Sequence, residues 1–358
     1  MVPVRASWHH AGAEHFGATH TAFQMKDYTL RSNARFPRPA SILTFGMTAA
    51  LAACSSPGAQ TSLPSTSPLA FSASAGSATH SAYKFVTLDD NADPTFNQLL
   101  GIDNNGEIAG YFGSGASGHP NKGYTLVSPY GQGNYTNENY PGSAQTQVTA
   151  LNNLGDTAGF WVDSNGNNFG FVEWNNVFTS YKNPKTGSGT VNQILGINDA
   201  GIAVGFYTDG NGVNHGFSLN QATGKFKALV PPNGVSVSAT GINQNGDICG
   251  FATTASGTTV SWLLKGKSFT SFSYPGSNNT TALGINANDE IVGAYVDASG
   301  GMHGFTLTSP LNNAKFTSVD DPKGVGTTTI NGLNDAGTLV GFYVDSVGNT
   351  DGFLATKK

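Results

Sequence analysis

The phrase "GINDAGIAVGFY", residues 196–207, constrains this chain more than any other feature, because it is written six times. Its copies begin at Gly101, Ala150, Gly196, Gly241, Gly284 and Gly332, at spacings of 49, 46, 45, 43 and 48 residues. Regular periods in this range mark a repeat architecture, in which each unit buries its apolar face only against its neighbours. A glycine nine positions into the phrase is invariant: Gly110, Gly159, Gly205, Gly250, Gly293 and Gly341. The turn glycine at the sixth position holds in five copies and is Asp289 in the fifth.

Each copy resolves into four short strand-like segments, A to D. Strand A runs into "GIN"; a turn such as "NDAG" leads to strand B, "IAVGFY". A loop such as "TDGNGVN" leads to strand C around "HGFSL", and strand D follows as "KFKALV". Four hairpin-linked strands per period describe a propeller blade, whereas a β-solenoid needs shorter and more uniform coils. The first recognisable segment, "KFVTLDD" at Lys84–Asp90, matches strand D, and the last, "GFLATKK", matches strand C. Pairing those two completes the sixth blade and removes two open edges that invite aggregation. The expected fold is therefore all-β: a six-bladed β-propeller of four-stranded blades over residues 83–358, its last blade closed by the N-terminal strand.

Glycine inside a strand weakens it and usually marks a close approach. Aromatics follow the strand B glycine in five copies, so we expect it to make room for a ring from the neighbouring blade. The "GF" glycines of strand C (Gly170, Gly216, Gly304, Gly352) are expected to do the same. The "GINDAG…VGFY…HGF" pattern resembles the bacterial extracellular HAF-type repeat, with Gly in the Ala place and His kept at His215 and His303. That resemblance covers about residues 84–358. It implies secretion and a propeller-like fold, and it implies no known reaction.

The N-terminal part reads as an address. Arg31, Arg35 and Arg38 precede an apolar stretch from Ile42 to Ala53, which ends in Leu51-Ala52-Ala53-Cys54. A charged start, a short apolar run and small residues before a cleavage point make a secretory signal, too short to span a membrane as a helix. The ending resembles the lipobox of bacterial lipoproteins, which implies lipidation of Cys54. Ser55 after it favours, by the same resemblance, the outer membrane. Met25 is the natural start, so residues 1–24 are read as a misassigned or disordered leader and 25–53 as the signal peptide. Residues 54–82, rich in Ser, Ala, Pro and Thr, read as a tether.

Charge excludes one class of partner. All four arginines lie before residue 40, and from Cys54 onward there are 12 Lys against 20 Asp plus Glu. Phosphate backbones call for clustered basic surface, so nucleic acid is not expected. Two cysteines give no zinc spacing. Cys249 occupies a position that is Ala or Val in the other copies and reads as a small core residue.

No GxSxG, HExxH or Walker phrase is present, and no catalytic residue, metal or cofactor is expected. His119, His215 and His303 lie near strand C, and the slot of His215 holds Phe169, Val260 or Asp351 elsewhere, which reads as an edge position rather than a base. Asp163, Asp209, Asp297 and Asp345 open the B–C loops beside Gly. Their oxygens suit Ca²⁺, but the distal bidentate Glu of an EF-type loop is absent, so they read mainly as hairpin turns. With Tyr140 and Tyr274 from the D–A loops they define the candidate ligand face, opposite the face where the tether enters. The expected function is a membrane-anchored, non-catalytic binding or scaffold module of the cell envelope, its ligand a glycan or a protein. The alternatives are a propeller hydrolase or lyase acting on a glycan or small molecule, and a structural or adhesive surface protein.

Overall fold

A computed structural model describes residues 82–308, 310 and 313–358. The signal peptide, Cys54, the tether and residues 1–24 lie outside the described residues. Six four-stranded antiparallel sheets follow one another along the chain. Blade 1 is β2 (Asn97–Ile102), β3 (Ile108–Phe112), β4 (Lys122–Leu126) and β5 (Tyr135–Asn137). Blade 2 (β6–β9) runs from Gln145 to Tyr181, blade 3 (β10–β13) from Asn192 to Ala228, blade 4 (β14–β17) from Ser236 to Phe272 and blade 5 (β18–β21) from Thr280 to Val319. Blade 6 takes its A, B and C strands from β22 (Thr328–Leu333), β23 (Leu339–Val344) and β24 (Thr350–Lys357). Its outer strand is β1 (Tyr83–Thr87), which pairs with β24 from Tyr83–Lys357 to Thr87–Phe353. The closure expected from the sequence is therefore present, and Lys358 N–H donates to Ala82 O at 2.9 Å.

The apolar clusters form between blades rather than within them. Ala150, Ala158 and Val172 of blade 2 pack on Ile194, Ala203, Phe217 and Leu219 of blade 3, and the other junctions repeat the pattern. Cys249 belongs to such a junction and is fully buried, with burial pushing its thiol up to about 12.

Every strand A carries a β-bulge at the same place. The pairing skips Leu100, Thr149, Leu195, Thr240, Leu283 and Asn331, each directly before the first residue of the repeated phrase. This overturns the expected role of the invariant strand B glycine. A Cβ at Gly205 would overlap the Gln193 carbonyl oxygen, and one at Gly110 would lie 2.5 Å from the Gln98 carbonyl oxygen. The bulge turns the carbonyl of the same blade's strand A into the space a side chain needs. The ring that closes on Gly110, Gly159, Gly250 and Gly341 comes from strand C of the same blade (Tyr124, Phe171, Trp262, Phe353), not from a neighbour. Strand C glycines do face the neighbouring blade, but they admit aliphatic groups there: Val148 against Gly123, Ile194 against Gly170, Val237 against Gly216, Ile330 against Gly304, Leu99 against Gly352. Blade 4 has Ser261 in this slot. Its hydroxyl donates to Thr280 O (3.0 Å) and accepts from Ala282 N–H (2.8 Å).

Around the axis, the first residue of each copy packs its Cα on the next. A Cβ at Gly196, Gly241, Gly284 or Gly332 would lie 3.2 Å from the Cα of Gly241, Gly284, Gly332 and Gly101 respectively. The asparagine of "GIN" then links blade to blade: Asn152 Nδ2 donates to Asn198 O, Asn198 to Asn243 O, Asn243 to Asn286 O, Asn286 to Asn334 O, and Asn334 to Asp103 O. The sixth link is missing, because Asp103 has no amide to donate to Asn152 O.

Candidate functional site

The B–C loops show what their aspartates do. Asp209 Oδ1 accepts the N–H groups of Asn211 (2.8 Å) and Val213 (3.0 Å), which fixes a four-residue hairpin. Asp163, Asp297 and Asp345 repeat the two bonds to residues two and four positions on. The A–B asparagines do the same at the opposite face, as Asn198 does with Ala200 and Ile202. Side-chain caps of this kind stand in for backbone turns. One carboxylate oxygen is thereby committed to the loop in all four candidates, and the second, Oδ2, distinguishes them.

In blades 2 and 6 Oδ2 meets an asparagine amide, Asn167 at 2.8 Å and Asn349 at 3.4 Å. In blades 3 and 5 it meets a histidine: Asp209 Oδ2 lies 3.0 Å from His215 Nε2, and Asp297 Oδ2 lies 3.2 Å from His303 Nε2. The His215 hydrogen bond leads the causes that hold Asp209 below the usual carboxylate range. His303 has a second carboxylate, with Asp320 Oδ2 at 3.1 Å from Nδ1, and that bond leads the causes that raise its pKa. The sequence signal for these pairs is Asp followed by His six positions on, in two copies only. Periodicity hides it, because the pair crosses from loop to strand C, where each residue read alone is ordinary. A third pair, His119 Nδ1 with Asp93 Oδ2 at 2.6 Å, sits at blade 1.

Tyr140 and Tyr274 cover the ends of strand B. Tyr140 stacks on Trp161 (centroids 4.3 Å, 5° between planes), and Trp161 in turn on Phe169. Tyr274 stacks on Tyr295 (3.5 Å, 4°), whose other neighbour is His303 at 5.2 Å. Both tyrosines are half-buried against the junction clusters. The six sequence-singled residues thus share one face but belong to four blades, and none pairs with a candidate from another blade.

Around its histidine, blade 3 lacks two groups that blade 5 has. Asn183 replaces Tyr274 at the start of the D–A loop; it is buried, and its backbone N–H donates to Asn192 Oδ1 at 2.7 Å. Val230 replaces Asp320: Leu229 N–H bonds Gly216 O, in register with the Gly304–Val319 pairing of blade 5. Beside these positions lies a cavity of about 420 Å³, lined by Lys185, Tyr207, Asp209, His215, Leu229 and Val230 among others. The axial mouth on the A–B face is much tighter, about 70 Å³. Among the described residues, no group of three or more His, Cys, Asp or Glu is arranged to hold a metal ion.

No protein-family model matches the chain, and no curated protein matches it in sequence. Solved structures are similar at a distance. AofleA from Arthrobotrys oligospora is 12% identical over 76% of this chain and 85% of its own, with a TM-score of 0.48. A protein of unknown function from Dyadobacter fermentans is 12% identical over 77% of this chain and 100% of its own, at 0.49. A variant of the Aleuria aurantia lectin, in complex with a fucosylated disaccharide, is 12% identical over 72% and 91%, at 0.45. These likenesses are too distant to bear on ligand or activity.

Proposed function

We propose that the chain is a non-catalytic binding or scaffold module, held at the cell envelope by a lipid on Cys54 and presenting its B–C/D–A face to a ligand. The supporting observation is how the polar groups of that face are used. Each histidine–carboxylate pair among the described residues lies within one blade and the loops that adjoin it. Acid–base chemistry needs titratable groups that converge on a common point. Repetition with local satisfaction is instead what a display surface requires.

The test is a glycan array probed with the full chain purified from membranes in detergent, with mass analysis of whatever is retained. An intact retained glycan supports the reading. A shortened or unsaturated product makes the chain an enzyme, and self-association without glycan retention makes it a structural surface protein. The anchor is tested separately: Cys54→Ser should move the chain from the membrane to the soluble fraction, and retention there refutes the lipid.

A further inference from the structure

Blade 5 shows what the space beside a strand B tyrosine and its histidine accepts. There the protein fills it with two of its own groups: the flat ring of Tyr274 on Tyr295, and the carboxylate of Asp320 on His303 Nδ1. Blade 3 keeps the receiving half. Tyr207 stacks on His215 at 5.1 Å, and Asp209 holds His215 by Nε2, as Asp297 holds His303. Both filling groups are gone, replaced by Asn183 and Val230, and His215 Nδ1 has no hydrogen-bond partner among the described residues. The 420 Å³ cavity lies against Tyr207 and His215. The same D–A loop adds a cation, because Lys185 lines the cavity at the position of Gly276 in the "YPGS" loop of blade 5.

We infer that the blade 3 cavity binds a ring that carries a carboxylate, the ring against Tyr207 and the apolar Leu229–Val230 edge, the carboxylate between Lys185 and His215 Nδ1. An ammonium and the Nδ1–H of an imidazolium, whose Nε2–H is given to Asp209, converge on one anion and give charge-assisted bonds, the stronger kind. A sugar or aromatic face suits the tyrosine. Blade 6 sets the limit of the inference. It has Lys323 and Tyr343 in the corresponding places, but Asp351 stands where His215 does and Asp89 where Val230 does. Those carboxylates repel an anion, so blade 3 alone should carry the site. The proposal rests on the binding-module reading and narrows its ligand to one chemical class.

The ring acid has two sources, a uronate sugar or an aromatic acid. The experiment is calorimetric titration of the full chain in detergent with galacturonate and with 4-hydroxyphenylacetate, against galactose and tyrosol as uncharged counterparts. At least one acid should bind about tenfold or more tightly than its neutral counterpart. Binding of galacturonate alone names the sugar source, and of the aromatic acid alone the aromatic one. Val230→Asp rebuilds the carboxylate of blade 5 at a side chain that is 72% exposed, so the fold tolerates it. It should weaken binding about tenfold or more, and Lys185→Met likewise. Absence of binding by both acids, or equal binding by Val230→Asp and wild type, overturns the inference. The glycan array is read independently of this pocket, so a retained neutral glycan beside that failure leaves the binding-module reading standing.

Discussion

Gly205 shows how one residue type at one position makes a blade possible. Its missing side chain leaves room for the Gln193 carbonyl that the strand A bulge pushes toward it. Gly205→Ala should therefore cost about 3 kcal/mol or more, since backbone rather than a flexible side chain must move. Loss of the cooperative thermal transition at a much lower temperature would show it, and an unchanged melting point would contradict the bulge account. Cys249 carries the opposite expectation. With the thiol fully buried and pushed up to about 12, Cys249 should resist thiol reagents in the native protein and react only once it unfolds. Fast labelling of Cys249, located by peptide mapping under native conditions, would refute its place in the core. The invariance of the glycine was plain in the sequence, but its cause was not. Nothing in "VGFY" reveals that strand A is bulged, because the bulge residue changes from Leu to Thr to Asn between copies.

Strand pairing and hairpin geometry were legible because period-2 alternation and turn glycines are local signals. The His–Asp pairs and the blade 3 cavity were not. The cavity exists because blade 3 has Asn183 where blades 2 and 5 have Tyr140 and Tyr274, and such a difference reads from sequence only once the register of the D–A loops is known. Charge at the element scale gives a pH prediction. Glu173 on the third strand of blade 2 is raised to about 7, first by burial and then by Glu138 and Asp156. Its folded value lies above the unfolded 4.5, so the folded state holds the extra proton between those limits. The associated stability is complete below pH 4.5 and is lost as pH rises through about 7. Glu173→Gln should thus gain on wild type in melting temperature as pH rises through that window. A difference independent of pH would show that the carboxyl titrates normally.

At the scale of the molecule, one blade is assembled from both ends of the described chain. β1 contributes five residues of pairing to β24, and the contact with Ala82 extends it. The strand order was readable because the first and last segments matched strands D and C and nothing else in the repeat. Removing residues 83–87 should leave β24 as a bare edge, lower the melting temperature, and drive oligomers visible by size-exclusion chromatography. A monomeric truncation with unchanged melting would show that the ring closes without that strand.

The way β1 enters its sheet also decides how the molecule bears load. Force applied from the N-terminal side, with the B–C/D–A face held, enters at Tyr83 and runs along the strand rather than across it. All five paired residues then resist together in shear, instead of parting one after another as in a zipper. The strand that closes the ring is thus the one that would carry tension between an anchored N-terminus and a captured ligand.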